Sequence, residues 1–478
     1  QDVNNNDNNN NDNNKSLVAK WLPREKSNKF GWQTIFFAVN YYDKIKNNGI
    51  KLKHRKHIIY NKKYYKNILK KFRKVCSNLN KELNVCEIKM TSNSINEINF
   101  SKNITCNCFF KNFNSLLNIT NNFQNKQLTH NHFNSYNKLQ NKLQCKYNLI
   151  NFINNFNVNS KFKDKLSLWQ YIKLGIQILD FQTYVKELYD SNGITFNYFN
   201  EINQNIKLKE KLLNVQWNNY IKNINSLEGL IPIVDISLSM GYTYFSNNTT
   251  QRNFFFKKKS ILNALGLGII VCEKSVFNKR LLLFSKKCLW VSFDSCTQLT
   301  DYIERLIHYF DNYYENEVDN TNFVLMENSN IGDPINLLLD SFSFNNLSTE
   351  QVEKIKFIIF SDMQFNDINI DNVNNLTIYG KLQELFNICG INNNNINCPY
   401  NICNFIFWNL RTTNGFPVLT STNKTLMLSG NNPNLLNIFT KNYKNLIKDP
   451  NEELMKMFSN KYYNLNNKNF TDIIENTI

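Results

Sequence analysis

The chain has 478 residues, with 56 Lys and Arg against 38 Asp and Glu, a formal net charge of +18. That length predicts two or three domains at about 100–200 residues each, and a hydrophobic content of 42% excludes a wholly disordered chain. No run of about 18 apolar residues occurs, so no membrane-spanning helix and no membrane partner are expected. No charged-then-apolar start suggests a signal peptide. Eleven scattered Cys, an odd number, read as free thiols in a reducing compartment. The expected setting is therefore intracellular and cytoplasmic. Asn makes up roughly a fifth of the chain; with Lys, Ile and Phe this excess reads as AT-rich coding, so Asn-rich loops carry no functional signal.

In chain order, residues 1–15 are an Asn/Asp lead expected to be disordered. From Lys66, apolar Leu69, Phe72, Cys76, Leu79 and Leu83 recur at steps of three and four, the mark of one helix face. Residues 91–160 are Asn-rich and weakly periodic, and read as an insertion or as loosely packed helical hairpins. Residues 167–189 and 207–224 read as helices. The half before residue 226 is thus mainly α.

Near Leu230 the pattern changes. Leu230–Asp235 is a short apolar run of the kind buried on both faces of a sheet. A helix over Ser260–Cys272, a strand over Arg280–Phe284 and a helix over Thr297–Tyr309 follow. Then come strands Phe323–Met326 and Lys356–Phe360, helix Tyr379–Leu385, and strands Phe405–Leu410 and Thr425–Leu428. Strands alternating with helices predict a doubly wound, mainly parallel α/β sheet. The expected fold class is α + α/β, an α-helical N-terminal domain followed by a Rossmann-like domain.

The charge is unevenly placed. Residues 1–160 hold 26 Lys/Arg and 8 Asp/Glu, whereas residues 161–478 hold 30 of each. The densest part contains Lys53, Arg55, Lys56, Lys62, Lys63, Lys70, Lys71 and Arg73, with Tyr60, Tyr64 and Tyr65 interleaved. Such a field attracts polyanions, and the tyrosine rings offer faces for base stacking. The plainer reading is a solvated helix face in a Lys-rich chain.

Ligands of doubly wound sheets bind beyond the carboxyl ends of the strands. There the sequence places Asp235-Ile-Ser237-Leu-Ser239 and Ser361-Asp362, with Asn330-Ile-Gly-Asp333-Pro between them. These are hard oxygen donors suited to Mg²⁺ or Mn²⁺. They are equally able to satisfy one another as a polar cluster.

Asp235-x-Ser237-x-Ser239 at a strand end resembles the metal-ion-dependent adhesion site of von Willebrand factor A (vWA) domains. The longer run Pro232–Met240 resembles the first vWA strand of an uncharacterised family from plants, fungi and large DNA viruses. Further blocks agree in order: Ala19-Lys-Trp-Leu-Pro23, Val215-Gln-Trp217, Phe360–Phe365, Phe407-Trp-Asn-Leu-Arg411 and Leu428-Ser-Gly430. That family is similar to the Ro ribonucleoprotein, in which a TROVE ring of helical repeats is closed by a vWA domain and binds small noncoding RNAs. The resemblance implies a TROVE-like helical-repeat domain over 16–226, with the 91–160 insertion, a vWA domain over 227–440 and a helical tail over 441–478. It implies RNA as partner of the basic helices; the alternatives are an interaction scaffold in which a protein partner's carboxylate completes a metal at Asp235, Ser237 and Ser239, or a structural component, of a virus particle if the source is viral, without specific RNA. It also implies that Asp333 and Asp362 orient metal-bound waters. The pattern departs in one place: Gly332 stands where a Thr ligand is usual.

Cys106-x-Cys108 with His130-x-His132 is a weaker zinc candidate, because its spacing is not that of common structural sites. No G-x-S-x-G, H-E-x-x-H or P-loop occurs, so no enzymatic activity is expected. Trp408 reads as core and Arg411 as an ion-pair or phosphate contact.

Overall fold

The structure is a computed structural model. It describes residue 70, short stretches between 73 and 81, and residues 85–117, 134–157, 166–241, 258–315, 330–368, 376–392, 398–411 and 415–440, a few single residues or pairs aside. The lead over 1–15, the strand expected at Phe323–Met326 and the tail over 441–478 lie outside the described residues. The chain divides into two compact units, Gln1–Lys165 and Leu166–Ile478.

The described part of the first unit is helical. Helix α1 spans Cys86–Thr91, a 3₁₀ turn spans Ile95–Glu97, and α2 (Cys106–Leu116) and α3 (Asn134–Asn154) follow. Helix α2 starts where the Thr105 hydroxyl accepts the N–H of Cys108 at 3.3 Å, a side-chain N-cap. It buries Cys106, Phe109, Phe110, Phe113 and Leu116, the three- and four-residue recurrence of a single apolar face. Phe109 meets Phe113 at 5.5 Å and Phe100 edge-on at 6.4 Å, while Phe100 meets Phe152 of α3 at 5.6 Å. The segment read as an insertion or as loosely packed helical hairpins contains helices and an aromatic core, with Leu149, Ile153 and Phe156 buried beside it.

In the second unit, α4 (Leu168–Asp190) and α5 (Phe196–Ile221) precede a six-stranded sheet. Its strands are β1 (Leu230–Asp235), β2 (Arg280–Phe284), β3 (Cys288–Ser292), β4 (Lys356–Ser361), β5 (Asn404–Asn409) and β6 (Thr425–Ser429), in the order β3-β2-β1-β4-β5-β6. All neighbouring strands are parallel except the β2–β3 hairpin. Between the strands lie α6 (Lys259–Lys274), α7 (Leu299–Glu315), α8 (Gly332–Phe344), α9 (Thr349–Glu353) and α10 (Ile378–Asn392). This is the α + α/β class, with helices covering both faces of a sheet whose first strand is buried along its whole length.

One face of the sheet packs Ile233, Phe284, Phe357, Ile359 and Phe405 against Ile335, Leu338, Leu382 and Phe386 of α8 and α10. On the other, α6 approaches so closely that a β-carbon on Gly268 would stand 2.9 Å from Val234 Cγ2. Helix α4 covers α6 in turn, since a β-carbon on Gly266 would meet Leu168 Cγ at 2.7 Å. Buried Asn214 of α5 donates to Gln298 and Thr300 at 2.6 and 3.0 Å, and accepts the N–H of Thr300 at 3.2 Å. These contacts place α4 and α5 in the compact unit of the sheet.

Several elements differ from the sequence reading, among them these. Strand β3 was not expected; Cys288-Leu-Trp-Val-Ser is a half-buried edge strand, too short for its alternation to stand out. Asn330–Pro334 reads as a loop, yet α8 begins at Gly332. Pro334 is tolerated in that first turn, where no intrahelical N–H bond is lost.

Candidate functional site

Strands β1 and β2 wind to one side and β4 and β5 to the other, so the sheet changes direction between β1 and β4. In α/β sheets of this order the crevice outside the carboxyl ends at that point is where ligands bind. Asp235 ends β1, Ser361 ends β4 with Asp362 next, and Arg411 follows two residues after β5.

The Asp235 carboxylate is completely buried. Its Oδ1 accepts the N–H of Ser237 at 2.9 Å, and its Oδ2 accepts the Ser361 hydroxyl at 2.6 Å. The first bond turns the chain so that the Ser237 and Ser239 hydroxyl oxygens stand 2.9 Å apart. Lys258 Nζ and Arg411 Nη1 donate to the Ser239 carbonyl at 2.9 and 3.1 Å. Arg411 Nη1 also donates to Asp362 Oδ2 at 2.7 Å, an ion pair in which the carboxylate is wholly buried and the Arg side chain 33% exposed. Met363, directly after Asp362, has a φ of 64°, an uncommon value for a residue with a β-carbon. Its N–H is held by the Ser361 hydroxyl at 2.9 Å.

Burial pushes the Asp235 carboxyl up from 3.8 to about 6; hydrogen bonds from Ser361 and Ser237 pull the other way, and the Asp362 charge adds to the rise. Burial also raises Asp333.

The structure brings Asp235, Ser237, Ser239 and Asp362 to one place. Asp333 accepts from Asn330 Nδ2 at 2.9 Å, and no described hydrogen bond joins it to that cluster. A Thr could not replace Gly332 without rearrangement: a β-carbon there would meet Ile368 Cγ2 at 2.8 Å and Asn330 Oδ1 at 3.1 Å. Sequence reasoning missed Ser361 as a partner of Asp235, although its place at a strand's carboxyl end was a usable signal. Trp408 is fully buried and donates to the Gly430 carbonyl at 2.7 Å.

The donor set fits a small hard cation. Two ligands in adjacent corners of a Mg²⁺ octahedron with bonds of 2.0–2.1 Å lie roughly 2.9 Å apart, which is the spacing of the Ser237 and Ser239 oxygens. Mg²⁺ usually keeps several waters, so a short protein ligand set is compatible with binding. Arg411 already supplies one positive charge beside Asp362.

Among the candidate nucleic-acid contacts, Lys70 and Arg73 are exposed and helical. Lys53, Arg55, Lys56, Lys62, Lys63 and Lys71 lie outside the described residues, as do His130 and His132. Cys106 and Cys108, the other half of the zinc candidate, do not point to one place: Cys106 is fully buried, whereas Cys108 faces Cys86. A cleft of about 370 Å³ lined by Tyr379, Gln383, Asn401 and Lys424 opens near the amino ends of β5 and β6, away from the cluster. No described helix is long and apolar enough to cross a membrane.

A comparison with curated proteins gave no match. Among solved structures the chain is similar to the crystal structure of the Deinococcus radiodurans RO (RSR) protein, at 11% identity and a TM-score of 0.28, over 63% of this chain. The match spans 54% of that protein's length. Residues 230–474 match the family described as a domain of unknown function, DUF7788. They include the whole sheet and the cluster at its strand ends, and the chain belongs to that family.

Proposed function

We propose that this is a non-enzymatic RNA-binding protein whose first compact unit holds the RNA. The observation that carries the reading is charge placement. Counted by compact unit, residues 1–165 contain 29 Lys/Arg and 9 Asp/Glu, and residues 166–478 contain 27 and 29. The balance is +20 against −2, so one unit has the electrostatics of a polyanion binder and the other does not. Lys53, Arg55, Lys56, Lys62, Lys63, Lys70, Lys71 and Arg73 form the contact set, with the interleaved tyrosines as stacking surfaces. The sequence blocks shared with the Ro-related family support small structured RNAs as the ligand, and a TROVE-like first domain with a vWA-like second. The deciding experiment is purification from the native source with nucleases inhibited, followed by sequencing of co-purifying nucleic acid. A small set of discrete RNAs is expected. Clean protein, or random nucleic acid lost at moderate salt, overturns the proposal.

A second reading concerns the strand-end cluster and rests on the 2.9 Å spacing of its hydroxyls. Ser237 and Ser239 would hold Mg²⁺, or Mn²⁺, with Asp235 and Asp362 orienting its waters, and the ion would supply Lewis acidity toward an acidic side chain of a protein partner. Asp235 fixes the loop through the Ser237 N–H, and Arg411 limits the negative charge around the site. Binding of such a partner is expected to disappear with chelator and with Ser239→Ala; indifference to both disposes of this reading.

A further inference from the structure

A second cluster of donors lies in the first unit, far in sequence from the strand-end cluster. Cys86 is the first residue of α1 and Glu87 the second, while Cys108 is in the first turn of α2. One ligand atom from each lies within 4.8 Å of the other two, and among the described residues no other group of three His, Cys, Asp or Glu side chains does this. The sulfurs are 3.0 Å apart. The two Glu87 oxygens divide between them: Oε1 accepts from Cys108 at 3.1 Å and Oε2 from Cys86 at 3.5 Å.

We infer that Cys86, Cys108 and Glu87 form a binding site for a thiophilic divalent cation of the Zn²⁺ class. Two sulfurs and one carboxylate oxygen are the donors such an ion prefers. A tetrahedral ion with Zn–S bonds of about 2.3 Å holds two sulfurs roughly 3.8 Å apart. The observed pair therefore has to open by less than about 1 Å, which the half-buried Cys108 side chain can absorb. Asn112 Nδ2 donates to Cys108 Sγ at 3.2 Å and to the Cys108 carbonyl at 3.0 Å, which fixes the position of the sulfur.

The charge arrangement also asks for a cation. Three acidic groups meet, and Glu87 has no cationic partner among the described residues. The neighbouring Lys89 is turned to Glu97, whose carbonyl and carboxylate it meets at 2.8 and 3.7 Å. Cys86 is buried, Cys108 intermediate and Glu87 exposed, so the site has a protein side and a solvent side, and a fourth ligand can come from water. A disulfide is the competing fate of two close cysteines. This inference does not depend on RNA binding.

Binding of Zn²⁺ displaces the thiol protons, so it is expected to release about two protons per ion. Titration of the reduced full chain with Co²⁺ as the spectroscopic probe should show sulfur-to-cobalt charge transfer. It should also show one more tightly bound equivalent than Cys86→Ser/Cys108→Ser. Glu87→Gln, at an exposed position that preserves the fold, should weaken the affinity by at least about tenfold. Equal stoichiometry and affinity in the three proteins overturns the assignment. So does a Cys86–Cys108 disulfide in the protein as purified together with no Co²⁺ uptake after reduction. If the double Cys variant fails to fold, Glu87→Gln and the proton count decide.

Discussion

The two compact units use charge in opposite ways. Residues 1–165 carry a balance of +20 and residues 166–478 a balance of −2. In the second unit the carboxylates at the candidate site are buried and individually partnered: Asp235 by Ser237 and Ser361, and Asp362 by Arg411. A field summed over many side chains is legible from counts, needs no fixed geometry and acts over about a Debye length. A buried carboxylate is costly unless each oxygen finds a partner, so its role depends on positions resolved to tenths of an ångström. The charge of the first unit thus acts at a distance, and that of the second through local contacts.

The largest expected effect breaks this contrast directly. Reversing Lys53, Lys56, Lys62 and Lys63 to Glu should weaken RNA binding by roughly a thousandfold at physiological salt, counting about 1 kcal/mol per reversed residue. Reversing the exposed Lys173, Lys186, Lys207 and Lys354 of the second unit should change it little. Fluorescence anisotropy on both variants checks this; equal losses would mean that net charge alone matters.

The next effect belongs to the second unit. The folded state holds the Asp235 proton more tightly than the unfolded chain, at about 6 against 3.8. In the presence of chelator, stability should therefore fall as pH rises from about 4 to about 6 and stay lower above that. The loss is at most about 3 kcal/mol. Asp235→Asn should flatten this part of the profile in urea denaturation. Addition of Mg²⁺ should do the same if the ion binds, because it favours the ionised carboxylate.

Arg411→Ala should cost about 2 kcal/mol, since it leaves buried Asp362 without its cation while solvent at the partly exposed Arg site offsets some of the penalty. Adding Asp362→Asn should recover most of the loss. The smallest change sharpens the metal question. Gly332→Thr should destabilise by about 1–2 kcal/mol through its clash with Ile368. Pairing it with Ile368→Ala should restore stability and raise Mg²⁺ affinity, measured by calorimetry.

These groups also mark how far sequence alone could reach. Leu230–Asp235, Lys356–Ser361 and Asn404–Asn409 were legible because strands buried on both faces are short unbroken apolar runs. The 2.9 Å approach of Ser237 and Ser239 follows from alternate positions in one loop. The bonds Ser361–Asp235 and Arg411–Asp362 were not legible. They join residues 126 and 49 apart in sequence and exist only once the strand order is known. The cysteines show the same limit: spacing pairs Cys108 with Cys106, but residues two apart on a helix face different ways, and α2 turns Cys108 to Cys86 instead.

The most direct test of the central claim is the salt dependence of RNA affinity of the full chain. Log K is expected to fall linearly with log of salt concentration, with a slope magnitude of at least about 4, and the four-Lys reversal to reduce that slope. Binding that is indifferent to salt, or a slope untouched by the reversal, would contradict it.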